Sequence, residues 1–339
     1  MKAAVMLGTN KPLQLCDMPL PVIADDEVLV ETRTSGICGT DLHILEGAAY
    51  VPRLPHILGH EPAGVVARTG SAVRNLKPGQ RVVPYLFFNC QDCYYCRVGR
   101  HQQCLHLDGI LGVLCHGGFA EYFKAPARNL FLLPDHVPFD AGGLIADAVV
   151  TAVHAVRRAE LYSGQNAIVL GAGGVGLSLI QVLVNAGVRV IAIDRVEAKL
   201  ELARHFGATG TYPFSMEPVA SAIRDLADSD GIAAVFDCVG STPSLAAACR
   251  WVRNGGRVVV IGESGQPPAI TSTEIAQREL EIIGSRNGAR QDFVEAIRLV
   301  QYGAVRPPIA ARFPLQNVNA ALDALRAGPI GRVVVVVRD

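Results

Sequence analysis

The stretch AIVLGAGGVGLSLIQVLVNAG, residues 167–187, restricts the fold more than any other part of the chain. A short apolar run enters a turn through Gly171, Gly173, Gly174, Val175 and Gly176, then continues as an apolar helix. Glycines at this spacing allow a tight turn, close approach of the backbone to a pyrophosphate, and packing of the helix on the strand. A second strand-like run, VRVIAID, ends in Asp194, eighteen residues after Gly176. A carboxylate there accepts hydrogen bonds from ribose hydroxyls and repels a 2′-phosphate, which selects NAD. The neighbouring Arg195 points mildly the other way, or is solvated surface. Further runs, AAVFDCVG and GRVVVIG, alternate with helical patterns. That alternation predicts a doubly wound parallel sheet, an α/β unit over residues 149–285.

A second feature concerns metal. Cys90, Cys93, Cys96 and Cys104 form C-x2-C-x2-C-x7-C, too tight a loop for two relaxed disulfides. In a reducing compartment the spacing reads as a closed four-thiolate zinc site, structural because it leaves no position for substrate. An iron–sulfur cluster is the rival, but the ferredoxin run ends C-x3-C-P and here the last gap is seven residues. Free thiols are the third reading. Cys16, Cys115, Cys238 and Cys249 are scattered and read as packing residues.

Chemistry must then lie elsewhere. GICGTDLH and GHE bring Cys38, His60 and Glu61 to one neighbourhood if the strands between them pair. A catalytic zinc needs three protein ligands and an open position, so a third ligand is expected at a distance in sequence. Asp41 and His43 near Cys38 suggest groups that orient a ligand imidazole and move protons. Lys+Arg and Asp+Glu both number 31, so no large basic field invites nucleic acid or an anionic membrane, and the expected partner is a small molecule. The opening MKAAVMLGTNKPLQL reads as a first strand, not a leader, because its apolar run stops at a Gly-Thr-Asn-Lys-Pro turn. No apolar run is expected to reach the roughly 18 residues of a membrane span. The expected compartment is the cytoplasm.

Together, GICGTDLH, GHEPAGVV, CQDCYYCRVGRHQQC, GAGGVG and the terminal GRVVVVV resemble, in order and over essentially the whole chain, the zinc-dependent alcohol dehydrogenases of the medium-chain dehydrogenase/reductase family. The resemblance implies a GroES-like, partly barrel-like β catalytic domain over residues 1–148, completed by 286–339. A Rossmann NAD-binding domain over 149–285 interrupts it, and the active site lies in the cleft between the two. It implies two zinc ions per chain, NAD, an alcohol or carbonyl substrate, and a homo-oligomer, tetramer or dimer.

The same resemblance assigns roles. Cys38 and His60 would bind the catalytic zinc, with Glu61 as a ligand that swaps with water and Asp41 holding the His60 tautomer. Thr40 would accept the alcohol proton and His43 pass it on. Where relatives commonly place a cysteine, this chain has Asp147 in DAVVTAVHA, followed by Thr151 to contact the nicotinamide. The plainer reading of Asp147 is a helix N-cap. Lys199 matches a lysine that reaches the ribose, or lies on a solvated helix face. Arg332 matches an arginine that approaches the pyrophosphate; a basic residue found in some relatives after the ligating cysteine is replaced by Gly39. Substrate identity is the open point: a medium-sized secondary or cyclic alcohol is weakly favoured, with a polyol or 3-hydroxy amino acid as the alternative. Competing functions are a zinc-free quinone or enoyl reductase and a non-catalytic NAD-binding protein.

Overall fold

Strand Glu27–Ile37 organises the first of two compact units, because it is long enough to pair with three neighbours. The computed structural model describes residues 1–50, 52–215, 219, 221, 230–267 and 269–338. The first unit comprises residues 1–147, 289–303 and 307–339, and the second 148–288 and 304–306. Sequence boundaries at 285 and 286 thus fall three residues before the observed one. Residues 304–306 join the second unit, where the buried Gln181 amide accepts the Arg306 N–H at 2.7 Å and donates to its carbonyl at 3.2 Å.

In the first unit a seven-stranded sheet runs in the order Leu130–Leu132, Arg81–Pro84, Glu61–Thr69, Glu27–Ile37, Arg332–Val336, Ile309–Pro314, with Tyr122–Pro126 also paired to Glu27–Ile37. Only the last two strands of that order pair in parallel. The opening residues do form a strand, Lys2–Met6, in a separate three-stranded sheet. Strands Glu27–Ile37, Glu61–Thr69 and Arg332–Val336 are buried along most of their length, so the centre of this sheet is covered on both faces.

In the second unit six strands, all parallel, lie in the order Gly210–Pro213, Arg189–Asp194, Asn166–Leu170, Ile232–Asp237, Arg257–Val260, Glu281–Gly284. The chain reverses its direction of winding between Asn166–Leu170 and Ile232–Asp237, which is where a doubly wound sheet opens a ligand crevice. Ile168, Leu170, Ile193, Val235, Val258 and Trp251 share one core. Burying each such side chain contributes about 1.5–3 kcal/mol, so the sheet holds its loops on a rigid base.

One expectation needs correction. Helix Phe139–Ala159 has 21 residues and is long and apolar enough to span a membrane. Asp140, Gly142, Gly143 and Asp147 interrupt its apolar pattern in the sequence, which hid its length. In the structure 67% of its apolar window is buried inside the protein, the setting of a core helix.

Candidate active site

Antiparallel pairing sets Gly36 opposite Glu61 and Ser35 opposite Pro62, so Cys38 and His60 emerge side by side just beyond the paired residues. Cys38 is extended and starts helix Gly39–Leu45. Asp41, fully buried, accepts the Cys38 N–H on Oδ2 at 2.9 Å and the Gly59 N–H on Oδ1 at 3.3 Å. His60 Nδ1 lies 3.2 Å from the same Oδ1. One carboxylate therefore ties both segments, and with Nδ1 donating to it the lone pair of His60 is left on Nε2, the form that ligates a metal.

Asp147 reaches this point by a local irregularity. Residues Ile145–Val149 form a π-helical turn inside the long helix. Such turns insert one residue into the α-helical ladder and are frequent at functional sites. An N-cap role is thereby excluded, since Asp147 sits within the helix. Asp147 Oδ2 lies 3.3 Å from Cys38 Sγ and 3.9 Å from His60 Nε2. Ligand atoms of Cys38, His60, Glu61 and Asp147 all lie within 4.8 Å of one another. Donors about 2.0–2.3 Å from a tetrahedral zinc stand roughly 3.3–3.8 Å apart, so sulfur, imidazole and carboxylate here fit that ion.

Glu61 and Arg332 complete the cluster. A β-carbon on Gly36 would sit 1.9 Å from Glu61 Oε2, so only glycine lets this carboxylate lie across the strand. Beyond it is Arg332, whose Nη2 bonds Glu61 Oε1 and, at 2.8 Å, Asp147 Oδ2. This differs from the expectation that Arg332 approaches a pyrophosphate: the buried Glu61 and half-buried Asp147 carboxylates draw the guanidinium inward, and its side chain is 7% exposed. Burial pushes the Glu61 carboxyl up to about 8, against the pull of Arg332. Burial works in the same sense on Asp147, but the bond to His60 and the charge of Arg332 hold it well below the usual carboxylate range. Thr40 Oγ1 is 3.8 Å from Cys38 Sγ, and His43 lies one turn on, on the same face of the short helix.

Cys90, Cys93, Cys96 and Cys104 form the other cluster of donors. Their sulfurs are separated by 3.5 Å (Cys90 to Cys104), 3.6 Å (Cys93 to Cys96), 3.8 Å (Cys93 to Cys104) and 3.9 Å (Cys90 to Cys96). Four sulfurs at about 2.3 Å from one zinc stand roughly 3.8 Å apart, so the set is already a tetrahedral cage. Backbone N–H groups of Cys90 and His106 point at Cys104 Sγ, and that of Cys93 at Cys90 Sγ, each at 3.4 Å. Amides of Leu105 and Cys96 hold the Cys93 thiol down to about 6, whereas burial pushes Cys104 up to about 12.

On the second unit, Gly171 has φ +89°, and a β-carbon on Gly176 would lie 1.9 Å from the Gly171 carbonyl. Helix Gly174–Asn185 thus starts hard against the strand with no side-chain cap, and the first-turn N–H groups of a helix are suited to a pyrophosphate. Asp194 accepts the Ala172 N–H at 2.8 Å and the Val196 N–H at 3.0 Å, tying the glycine turn to the next strand. Sequence reasoning passed over Asp237. It is fully buried and accepts bonds from the Val239 and Gly240 N–H groups and the Ser244 hydroxyl, each at 2.9 Å. Its signal was the Asp closing the AAVFD strand.

Two family descriptions match the chain: the alcohol dehydrogenase GroES-like domain over residues 24–135 and the zinc-binding dehydrogenase over residues 174–302. An alcohol dehydrogenase of Geobacillus stearothermophilus is 34% identical over 99% of this chain and 100% of its own length. The chain belongs to the zinc-binding alcohol dehydrogenase family. A D-arabitol-phosphate dehydrogenase of Enterococcus avium is 32% identical over 92% of this chain and 90% of its own. Among solved structures, an NAD-dependent alcohol dehydrogenase superposes with a TM-score of 0.94 at 28% identity, over 99% of this chain and 100% of that one. The GroES-like and Rossmann domains expected from the motifs are those of this family.

The remaining positions of the dehydrogenase are mixed. Thr151 is buried on helix Val150–Ala159, four residues after Asp147. Arg195 stacks over the Phe214 ring at 5.7 Å, and Lys199 lies half-buried on helix Glu197–His205. Asp194 thus has two duties if it also binds ribose. Asp194→Gly is expected to raise the KM for NAD and to lower the kcat/KM preference for NAD over NADP at least tenfold. Steady-state kinetics with both cofactors check this; a wild type that already prefers NADP would show the reading of Asp194 to be wrong.

Proposed function

We propose that this zinc- and NAD-dependent dehydrogenase interconverts a medium-sized secondary or cyclic alcohol and its ketone. The observation that carries the site assignment is the convergence of Cys38, His60 and Asp147 donors within 4.8 Å. Those three residues would hold the catalytic zinc, with Glu61 as an exchangeable fourth, and Cys90, Cys93, Cys96 and Cys104 a structural zinc. Gly171, Gly173, Gly174, Val175, Gly176 and Asp194 would hold NAD, with Thr151 at the nicotinamide and Lys199 near the ribose. When bound, zinc lowers the pKa of an alcohol oxygen and the nicotinamide accepts hydride from the carbinol carbon.

The chain's own residues do the rest. Asp41 keeps His60 in the tautomer whose Nε2 faces Cys38 and Asp147. The Thr40 hydroxyl accepts the alcohol proton, and His43, one helical turn away, hands it to solvent. Residues 1–147 with the C-terminal segment act as the catalytic domain, and residues 148–288 as the cofactor domain. We place the enzyme in the cytoplasm, where the thiols stay reduced for zinc, as a homo-oligomer.

One observation favours a second substrate class, since a relative at 32% identity is named for D-arabitol phosphate. An assay of NADH formation by the zinc-replete enzyme against secondary, cyclic, polyol and 3-hydroxy amino acid substrates decides. Apolar secondary or cyclic alcohols are expected to exceed polyols at least tenfold in kcat/KM. The reverse order transfers the assignment to polyols, and no NADH from any alcohol refutes the catalytic reading. Metal analysis should give two zincs per chain; none would point to a zinc-free reductase.

A further inference from the structure

Arg332 stands where the chain's chemistry departs from a cysteine-ligated centre. It opens strand Arg332–Val336, whose Val333 pairs with Ile37 and Val334 with Gly36. Glu61 pairs with Gly36 from the other side, so Arg332 and Glu61 approach each other across the central strand, over the bare α-carbon of Gly36. The Arg332 N–H is held by the Pro308 carbonyl at 2.8 Å, which fixes the backbone from which the side chain projects. Its Nη2 bonds Glu61 and Asp147 together, with Asp147 Oδ2 at 2.8 Å. That same oxygen faces Cys38 Sγ at 3.3 Å. A carboxylate has about four lone-pair sites on two oxygens, so it can accept a guanidinium N–H while presenting another lone pair to a metal. A thiolate in its place would be a weaker acceptor.

We propose that Arg332 is a positioning residue of the catalytic metal centre, holding the Asp147 carboxylate in place for zinc, in a partnership that depends on the third ligand being a carboxylate. The inference rests on the functional reading above, in that it takes Cys38, His60 and Asp147 as the zinc ligands. Two consequences separate it from a pyrophosphate contact. Loss of the guanidinium loosens zinc more than NAD, because groups that orient a ligand cost 10- to 100-fold in metal affinity when removed. The loss also matters less once Asp147 is a cysteine.

The test is release of zinc from the holoenzyme to a colorimetric chelator, with KM for NAD measured in parallel. Wild type, Arg332→Met, Arg332→Lys, Asp147→Cys and the Asp147→Cys/Arg332→Met double variant are compared. Arg332→Met is expected to release one of two zincs at least tenfold faster while KM for NAD changes less than threefold. In the Asp147→Cys background the same substitution should change release less than threefold. Arg332→Lys keeps the charge without the fork; it should fall between wild type and Met, and it carries the test should the Met variant not fold. Wild-type release from the Arg332 variants, with a tenfold rise in KM for NAD, overturns the inference in favour of a pyrophosphate role. So does an equal effect of Arg332→Met in both backgrounds. Zinc content unchanged by Asp147→Ala overturns the ligand assignment, and this inference with it.

Discussion

Asp147→Ala is expected to lose one of two zincs and to reduce turnover at least a hundredfold while KM for NAD stays near that of the wild type. Removing a group that merely orients a ligand costs 10- to 100-fold, and removing the ligand itself costs more. The structure sharpens the reason. Asp147 Oδ2 is shared by Cys38, His60 and Arg332, so its removal leaves the guanidinium with Glu61 and leaves Cys38 and His60 as a two-donor site. Asp147→Cys should keep two zincs and recover activity. A softer donor gives the zinc more electron density, so it acidifies the alcohol less, and the pH of half-maximal alcohol oxidation should move upward. Zinc stoichiometry and pH–rate profiles of the two variants check both statements. Two zincs with near-normal turnover in Asp147→Ala would remove Asp147 from the ligand set and leave Glu61 as the third donor.

Cys93→Ser should release the other zinc and lower Tm by roughly 10 °C, equivalent to about 3 kcal/mol for a domain of this size. The four sulfurs stand 3.5–3.9 Å apart along the four measured edges, and the metal is what turns that closeness into a crosslink. The short helix Tyr94–Arg97 and the turn His101–Gln103 bury little apart from Cys96 and Gln102, so without the ion the loop has scant apolar packing to hold it. Residues 90–104 should become sensitive to protease while the catalytic zinc is retained. Calorimetry, metal analysis and limited proteolysis measure the three effects; an unchanged Tm with two zincs bound would refute a structural role for the loop.

Local chemistry made much of this legible in advance. A cysteine cage confined to fifteen positions and a glycine turn between strand and helix are recognisable because every interacting group lies within a few residues of the next. The pairing of GICGTDLH with GHE was legible only as a condition and through the family resemblance: helix Gly39–Leu45 and strand His56–Ile57 lie between the two strands, so no local signal required their ends to meet. Asp237 was missed because an aspartate closing a strand is also an ordinary turn residue, and only its three bonds distinguish it. The long helix Phe139–Ala159 was missed because its glycines and aspartates break the apolar run without breaking the helix.

What the sequence by itself determined is therefore the class of protein: a parallel α/β unit for a dinucleotide, a β-rich unit whose segments flank it in sequence, and two groups of candidate metal donors. Only the tertiary structure decided how the second set is arranged. Arg332 is 271 positions from Glu61 and 185 from Asp147, and no periodicity links them. The guanidinium turns to these carboxylates because it is itself buried and finds its hydrogen-bond acceptors in Glu61 and Asp147 rather than in solvent. The π turn that aims Asp147, and the absent side chain at Gly36 that admits Glu61, are likewise answers to packing in three dimensions, which a linear pattern does not record.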